Sequence, residues 1–169
     1  MTSQSEKAEA FAALHEAPGC FIIPNPWDAG SARILAALGY KALTTTSAGY
    51  AWSLGRTDYQ AGRDDVIAHV RAVAPSVHLP LNGDLENGFG HAPQDCADTI
   101  RMSAEAGLVG GSIEDATGDK DDPIYAMDAA ADRIRAAAEA ARALPFRYML
   151  TARCENYLHG RPDLKNTIA

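Results

Sequence analysis

Short apolar runs alternate with stripes of helical period along this chain. The run Phe21-Ile22-Ile23, bounded by Gly19 and Pro24, is too short for a helix and predicts a strand. Ahead of it, Ala8, Phe11, Ala12 and Leu14 predict a helix over 5–16. A polar turn follows, offering Asp28 or Ser31 as cap for a helix over 32–38 that carries Ile34, Leu35 and Leu38 on one face and stops at Gly39. The alternation then repeats. Lys41 to Thr45 predicts a strand and Thr46 to Tyr50 a loop of small residues, with a helix over 62–73 placing Val66, Ile67, Val70 and Val73 inward. Val77 to Asp84 predicts the next strand. A helix opens at Pro93, turns Cys96, Ala97, Ile100 and Ala104 inward and ends at Gly107. Leu108 to Glu114 predicts a strand, 126–143 a helix with Met127, Ile134 and Ala138 inward, and Phe146 to Thr151 a fifth strand. Asp163 is placed to cap a last helix.

Strands spaced roughly 25–40 residues apart, with helices between them, predict a parallel sheet with right-handed crossovers. There is no linker, internal repeat or low-complexity segment, so residues 1–169 read as a single domain. Polar and acidic loops follow the predicted C-terminal strand ends. Both a (β/α)8 barrel and an open doubly wound sheet collect their active sites at that edge. A Gly-x-Gly-x-x-Gly loop after the first strand would favour the open sheet, but Pro24-Asn25-Pro26-Trp27 stands there. The barrel is the expected fold. A full barrel takes about 250 residues, so this chain reads as its N-terminal portion, truncated after about five strand–helix units. The alternative is completion by assembly, since open strand edges invite pairing with another chain.

Composition narrows the function classes. With 47% hydrophobic residues the chain can bury a sizeable core, and a net charge of −7 with no basic run argues against nucleic acid. No stretch approaches the ~20 apolar residues of a membrane span, and the polar stretch Met1 to Lys7 lacks the apolar centre of a signal peptide. Cys20, Cys96 and Cys154 are odd in number and widely spaced, so they read as reduced thiols of a cytoplasmic protein. The scattered histidines offer no zinc spacing.

The most informative stretch is Leu79 to Gly90, a strand running into a glycine-punctuated acidic loop. Asp84 and Glu86 stand two apart, so extended backbone would put both carboxylates on one face. Paired carboxylates raise each other's pKa unless a cation sits between them, and Mg²⁺, which takes oxygen ligands, is the simplest candidate. An ordinary acidic loop satisfies the same pattern. On this reading, Gly83, Gly88 and Gly90 let the backbone bend around the site.

Six ordered segments resolve that ambiguity. Asn25-Pro-Trp-Asp-Ala-Gly-Ser-Ala-Arg33, Thr46-Ser-Ala-Gly49, Gly55-Arg-Thr-Asp58, Asp84-Leu-Glu-Asn-Gly-Phe-Gly90, Ser112-Ile-Glu-Asp115 and Thr151-Ala-Arg153 resemble, in order and spacing, the isocitrate lyase/phosphoenolpyruvate mutase superfamily. The resemblance spans essentially the whole chain. It implies a (β/α)8 enzyme, dependent on Mg²⁺ or Mn²⁺, that makes or breaks a C–C or P–C bond next to an α-keto acid or its enolate. By position, Asp58, Asp84 and Glu86 look like the acidic cluster that holds the metal, largely through water. Glu114 looks like a supporting carboxylate, and Arg153 like the cation steadying substrate carboxylate or enolate. Thr45 and Ser47, with the backbone of Ala48 and Gly49, look like the pocket for the substrate's carboxylate or phosphonate. A homo-oligomer acting on a small α-keto acid is expected.

The loop after Glu114 departs from the lyases of this superfamily. Isocitrate and methylisocitrate lyases carry Lys-x-Cys-Gly-His there, whereas this chain reads Asp115-Ala-Thr-Gly-Asp-Lys-Asp-Asp-Pro123, with neither cysteine nor histidine. Lys120 falls where mutase-type relatives place a gating-loop lysine, and Gly118 with the surrounding charge suits a mobile lid. An enzyme without the thiol can still decarboxylate a β-keto acid such as oxaloacetate. The expected function is therefore Mg²⁺-dependent C–C cleavage of a small α-keto or 2-hydroxy dicarboxylate. Phosphonopyruvate hydrolysis or phosphoenolpyruvate mutase chemistry is the alternative enzyme reading. A non-catalytic keto-acid-binding or assembly module is the alternative from another class.

Overall fold

The computed structural model describes residues 2–168; Met1, which begins the polar N-terminal stretch, and Ala169 lie outside them. Four parallel strands form one sheet in sequential order: β1 (Leu43–Thr44), β2 (Leu81–Asp84), β3 (Gly110–Glu114) and β4 (Met149–Arg153). Sequential parallel order with a helix between successive strands is the wall of a (β/α) barrel. The helices are α1 (Gln4–Glu16), α2 (Ala29–Ala37), α3 (Ser47–Ser53), α4 (Arg63–Val73), α5 (Pro93–Ala106), α6 (Met127–Arg142) and α7 (Leu164–Ile168).

Most boundaries follow local chemistry. Asp28 caps α2 by accepting the Ser31 amide at 2.7 Å, and Gly107, at φ 115, ends α5 in the left-handed conformation that glycine tolerates. Asp163 accepts the Asn166 amide and opens α7 as expected. Three expectations fail. Phe21–Pro24 is not a regular strand: it gives β1 one backbone bond, Thr44 N–H to the Pro24 carbonyl at 3.1 Å. Prolines at 24 and 26 carry no N–H, so the ladder cannot continue. The small-residue segment after β1 is not a loop. It is α3, capped by Thr46 Oγ1 on the Gly49 amide. The inward faces of α2 and α6 are also shifted. Ile34 and Leu38 are 63% and 70% exposed, Met127 is 59% exposed, and α6 instead buries Arg133, Ala137, Ala140 and Ala141. Apolar side chains thus stay open beside both outer strands, including a groove along β4 formed by Ile134, Ala138, Leu150 and Ala152.

The main core lies between the sheet and α4, α5 and α6, built on Leu43, Ile67, Leu81, Ile100, Leu108 and Ile113. A second cluster, Ala8, Phe11, Ala42 and Val109, seats α1 across the N-terminal ends of the strands. There Gln4 donates to the carbonyls of Ala104 and Leu108, and Lys7 to those of Ala74 and Val77. One end of the sheet is closed in this way, and the polar residues gather at the other. No helix among the described residues is long and apolar enough to cross a membrane.

Candidate active site

The C-terminal strand ends deliver the polar side chains. The β3–β4 register pairs Glu114 with Arg153, and Arg153 Nη2 meets Glu114 Oε2 at 2.6 Å. Arg153 Nη1 reaches Asp84 Oδ1 at 3.0 Å, and Nε and Nη2 reach Glu155 Oε1 at 2.9 and 2.7 Å. Three carboxylates from three chain segments therefore share one planar fork, the geometry a guanidinium suits. Asp84 is held at its other oxygen by the Ser47 amide at 2.9 Å, and its own amide donates to Thr45 Oγ1 at 3.0 Å.

Glu86 arrives by another route than period-two alternation. The strand ends at Asp84, Leu85 turns fully into the core, and Glu86 adopts φ 47. Only Gly88, at φ 83, needs glycine for its backbone angle in this stretch. Gly83 lies within β2, where a Cβ would come within 2.3 Å of Leu108 Cδ1, and one at Gly90 would come within 2.3 Å of Asp95. A left-handed glutamate costs about 1–3 kcal/mol and persists only where its surroundings enforce it. The enforcement comes from the next residues. Arg133, 2% exposed on α6, donates to the carbonyls of Asn87 and Gly90, and Asn87 Nδ2 bonds the Thr117 carbonyl and Tyr125 Oη.

Asp58, Asp84, Glu86, Glu114 and Glu155 all bear on this site, and among the described residues Arg153 is the only Lys or Arg ion-paired to any of them. Glu86 is 4% exposed, and its Oε1 has no hydrogen-bond partner among the described residues. Burial, then the charges of Asp84, Asp58 and Glu114, push its carboxyl up to about 8 against the pull of Arg153. Burial likewise pushes Glu114 up to about 7, opposed by the Tyr59 hydroxyl and by Arg153. For Arg153, partial burial disfavours the charge, but Asp84, Glu114 and Glu155 outweigh it and raise the pKa. An orphaned, buried carboxylate oxygen among excess carboxylates fits a hard divalent cation. Among the described residues no three His, Cys, Asp or Glu side chains gather closely enough to grip an ion directly.

The expected residues are not all used as expected. The Ser47 amide serves Asp84 and the Gly49 amide serves the Thr46 cap, so in the Ser47–Gly49 turn only the Ser47 hydroxyl and the Ala48 amide lack partners among the described residues. Lys120 is exposed and has no ion pair among the described residues. Its loop is closed at the base by an Ala116–Ile124 bridge and by Thr117 N–H to the Pro123 carbonyl at 2.9 Å. Two participants escaped the sequence reading. Glu155 reaches Arg153 while its amide bonds Asp115 Oδ1 at 2.8 Å, and the Tyr59 hydroxyl donates to Glu114 Oε1. The Arg153-x-Glu155 spacing was a signal for the first; nothing local announced the second.

Comparison with known proteins places this site in context. Residues 11–169 match the family model described as phosphoenolpyruvate phosphomutase. A Burkholderia cenocepacia J2315 protein, provisionally described as a lyase/mutase, shares 62% identity with a TM-score of 0.95, over 98% of this chain and 59% of its own. Oxaloacetate acetylhydrolase, crystallised with its product oxalate, shares 28% identity with a TM-score of 0.80, over 92% of this chain and 55% of its own. The 2-methylisocitrate lyase of Escherichia coli K12 is 34% identical over 110 residues, 60% of this chain and 37% of the enzyme. The chain thus spans less than two thirds of each of these relatives.

Proposed function

Because the chain belongs to the phosphoenolpyruvate phosphomutase family, a family of lyases and mutases, we propose that it carries the charge-stabilising part of a Mg²⁺-dependent C–C lyase site. Residues 1–169 act on this reading as one domain, the N-terminal portion of a (β/α)8 barrel that works as a homo-oligomer. The substrate is a small α-keto or 2-hydroxy dicarboxylate, cleaved next to its keto group by oxaloacetate-like decarboxylation or a related lysis. The observation that carries the reading is the Arg153 fork, braced by Asp84, Glu114 and Glu155 beside the unpartnered Glu86 Oε1.

Asp84, Asp58 and Glu86 would hold Mg²⁺ or Mn²⁺, which supplies a Lewis acid beside the keto and carboxylate oxygens of the substrate. Arg153 supplies a fixed planar cation where negative charge grows as the carbon–carbon bond breaks. Preorganisation matters here. Three carboxylates already hold the guanidinium, so little reorganisation accompanies the reaction. Thr45 and the Ser47–Gly49 turn wall the space beside Asp84, with the Ser47 hydroxyl and Ala48 amide free to meet a substrate carboxylate. With no thiol after Glu114, solvent protonates the product.

The test is turnover of oxaloacetate, 2-methylisocitrate and phosphonopyruvate, each with and without Mg²⁺. Mg²⁺-dependent release of CO₂ from oxaloacetate, abolished in Asp84→Ala, is the expected result. Turnover of phosphonopyruvate alone would replace C–C by P–C chemistry. Binding of oxalate without turnover of any of the three would make the chain a keto-acid-binding module.

A further inference from the structure

Tyr59 follows Asp58 in the turn between α3 and α4, at φ 62. As at Glu86, this backbone state is costly for a residue with a side chain. The Tyr59 amide donates to Asp58 Oδ1 at 3.1 Å, and two side-chain contacts hold the residue there. Its hydroxyl donates to Glu114 Oε1, and its ring edge lies beside Gly118 of the loop after β3, where Cδ1 would sit 3.8 Å from a Cβ added at that glycine. Glu114 is buried, and its second oxygen pairs with Arg153 Nη2.

That nitrogen is contested. Glu114 Oε2 lies 2.6 Å from Arg153 Nη2 and Glu155 Oε1 lies 2.7 Å from it. The guanidinium therefore has two anchors on one edge, and its aim depends on both staying in place. Glu155 has its own backbone tie to Asp115, whereas the Glu114 carboxylate has no donor other than Tyr59 and Arg153 among the described residues. Without the phenol, Glu114 would keep a buried oxygen with no donor, free to turn toward any water that reached it.

We propose that Tyr59 is a positioning residue: its hydroxyl locks Glu114, and Glu114 in turn holds the Arg153 guanidinium against Asp84. Tyr59 acts through its neighbours, and its effect on ligand binding rests on the function proposed above, while the relay itself does not.

The experiment compares the full 169-residue chain with Tyr59→Phe, which keeps the ring against Gly118 and removes only the hydroxyl. Side-chain ¹⁵N NMR reads rotation of the Arg153 guanidinium without any ligand. Calorimetric titration reads Mg²⁺ alone and then oxalate in the presence of Mg²⁺. Guanidinium rotation is expected to quicken several-fold and oxalate binding to weaken roughly tenfold, the scale of one hydrogen bond to a charged group. Mg²⁺ affinity should stay close to wild type while the thermal midpoint falls modestly, the cost of a buried carboxylate oxygen losing its donor; general loosening would weaken both. Unchanged Arg153 rotation in a folded Tyr59→Phe protein overturns the proposal. Faster rotation in a protein whose wild type binds no oxalate leaves the relay standing and removes the functional reading instead. Should Tyr59→Phe be too unstable to study, Glu114→Gln provides the same rotation measurement, and an unaltered rate there also overturns the relay.

Discussion

Glu114 and Arg153 are register partners on β3 and β4, and their side chains meet at 2.6 Å at the open end of the sheet. Backbone pairing and side-chain pairing coincide, so the strand ladder itself sets the cation's height above the core. Replacing Arg153 by Ala leaves the buried Glu114 without its cation. Oxalate binding or oxaloacetate turnover should fall about 10²-fold or more, the scale of losing one preorganised charge stabiliser. Arg153→Lys should recover little of this, because a single ammonium cannot span Asp84, Glu114 and Glu155 as the fork does. Wild-type behaviour in the lysine variant would refute the role of the fork.

Metal-free stability should decline as pH rises toward 8. Glu86 and Glu114 sit at about 8 and about 7 in the folded chain, above the ~4.3 of an unfolded glutamate. Between those values the native state holds more protons than the unfolded state, so stability falls with rising pH. Glu86→Gln should flatten the upper part of that slope in chelator-treated protein, measured by urea unfolding from pH 5 to pH 8.5. An equally steep slope in the variant would count against the buried, carboxylate-crowded setting of Glu86.

Added Mg²⁺ should reverse the decline. At about one hundred times its dissociation constant, an ion bound only by the native state adds about 2.7 kcal/mol. The shift in thermal midpoint should be larger at pH 8 than at pH 6, where protons compete for the same carboxylates. Asp84→Ala should abolish it. An equal shift in that variant would place the ion elsewhere.

His69 supplies an acid-side test. It is buried on α4, its ring stacks on Tyr50 with centroids 4.1 Å apart, and its Nε2 has no partner among the described residues. Burial lowers its pKa, only partly opposed by the charge of Asp28. The unfolded chain then takes up the proton first as pH falls below about 6.5, and stability drops from there downward. His69→Phe, which keeps the stack, should remove this contribution when unfolding is followed between pH 7 and pH 5.

Gly110 tests the closed end of the sheet. A Cβ there would lie 2.6 Å from Asn82 Oδ1, 2.7 Å from the Met149 carbonyl oxygen and 2.9 Å from Phe11 Cε1. Because one of these neighbours is β4 backbone, the strain cannot be relieved by a side-chain rotation alone. Gly110→Ala should lose roughly 1–3 kcal/mol in urea unfolding, the usual cost of overpacking a tight core.

Most of the chain's elements were legible without coordinates, because helical stripes, caps and breakers are local signals; the irregular 21–24 segment and α3 were not. Asp28, Gly107 and Asp163 do what their residue types dictate. The acidic loop and Arg153 were legible too, since each closes a strand in a motif of recognisable spacing. What the sequence could not decide was how those groups divide their bonds. It implied that Ser47 and the amides of Ala48 and Gly49 would face a ligand, yet the Gly49 amide is taken by the Thr46 cap of α3 and the Ser47 amide by Asp84. The face of α6 was misjudged because alanines and a fully buried Arg133 pack against the loop after β2, a partner 43–46 residues away in sequence. Tyr59 was silent for the same reason: its meaning comes from a hydroxyl meeting a carboxylate 55 positions later. Local sequence determined most of which backbone forms where. Only the tertiary structure decided which buried charge each side chain answers, because burial and long-range pairing exist only once the strands are side by side.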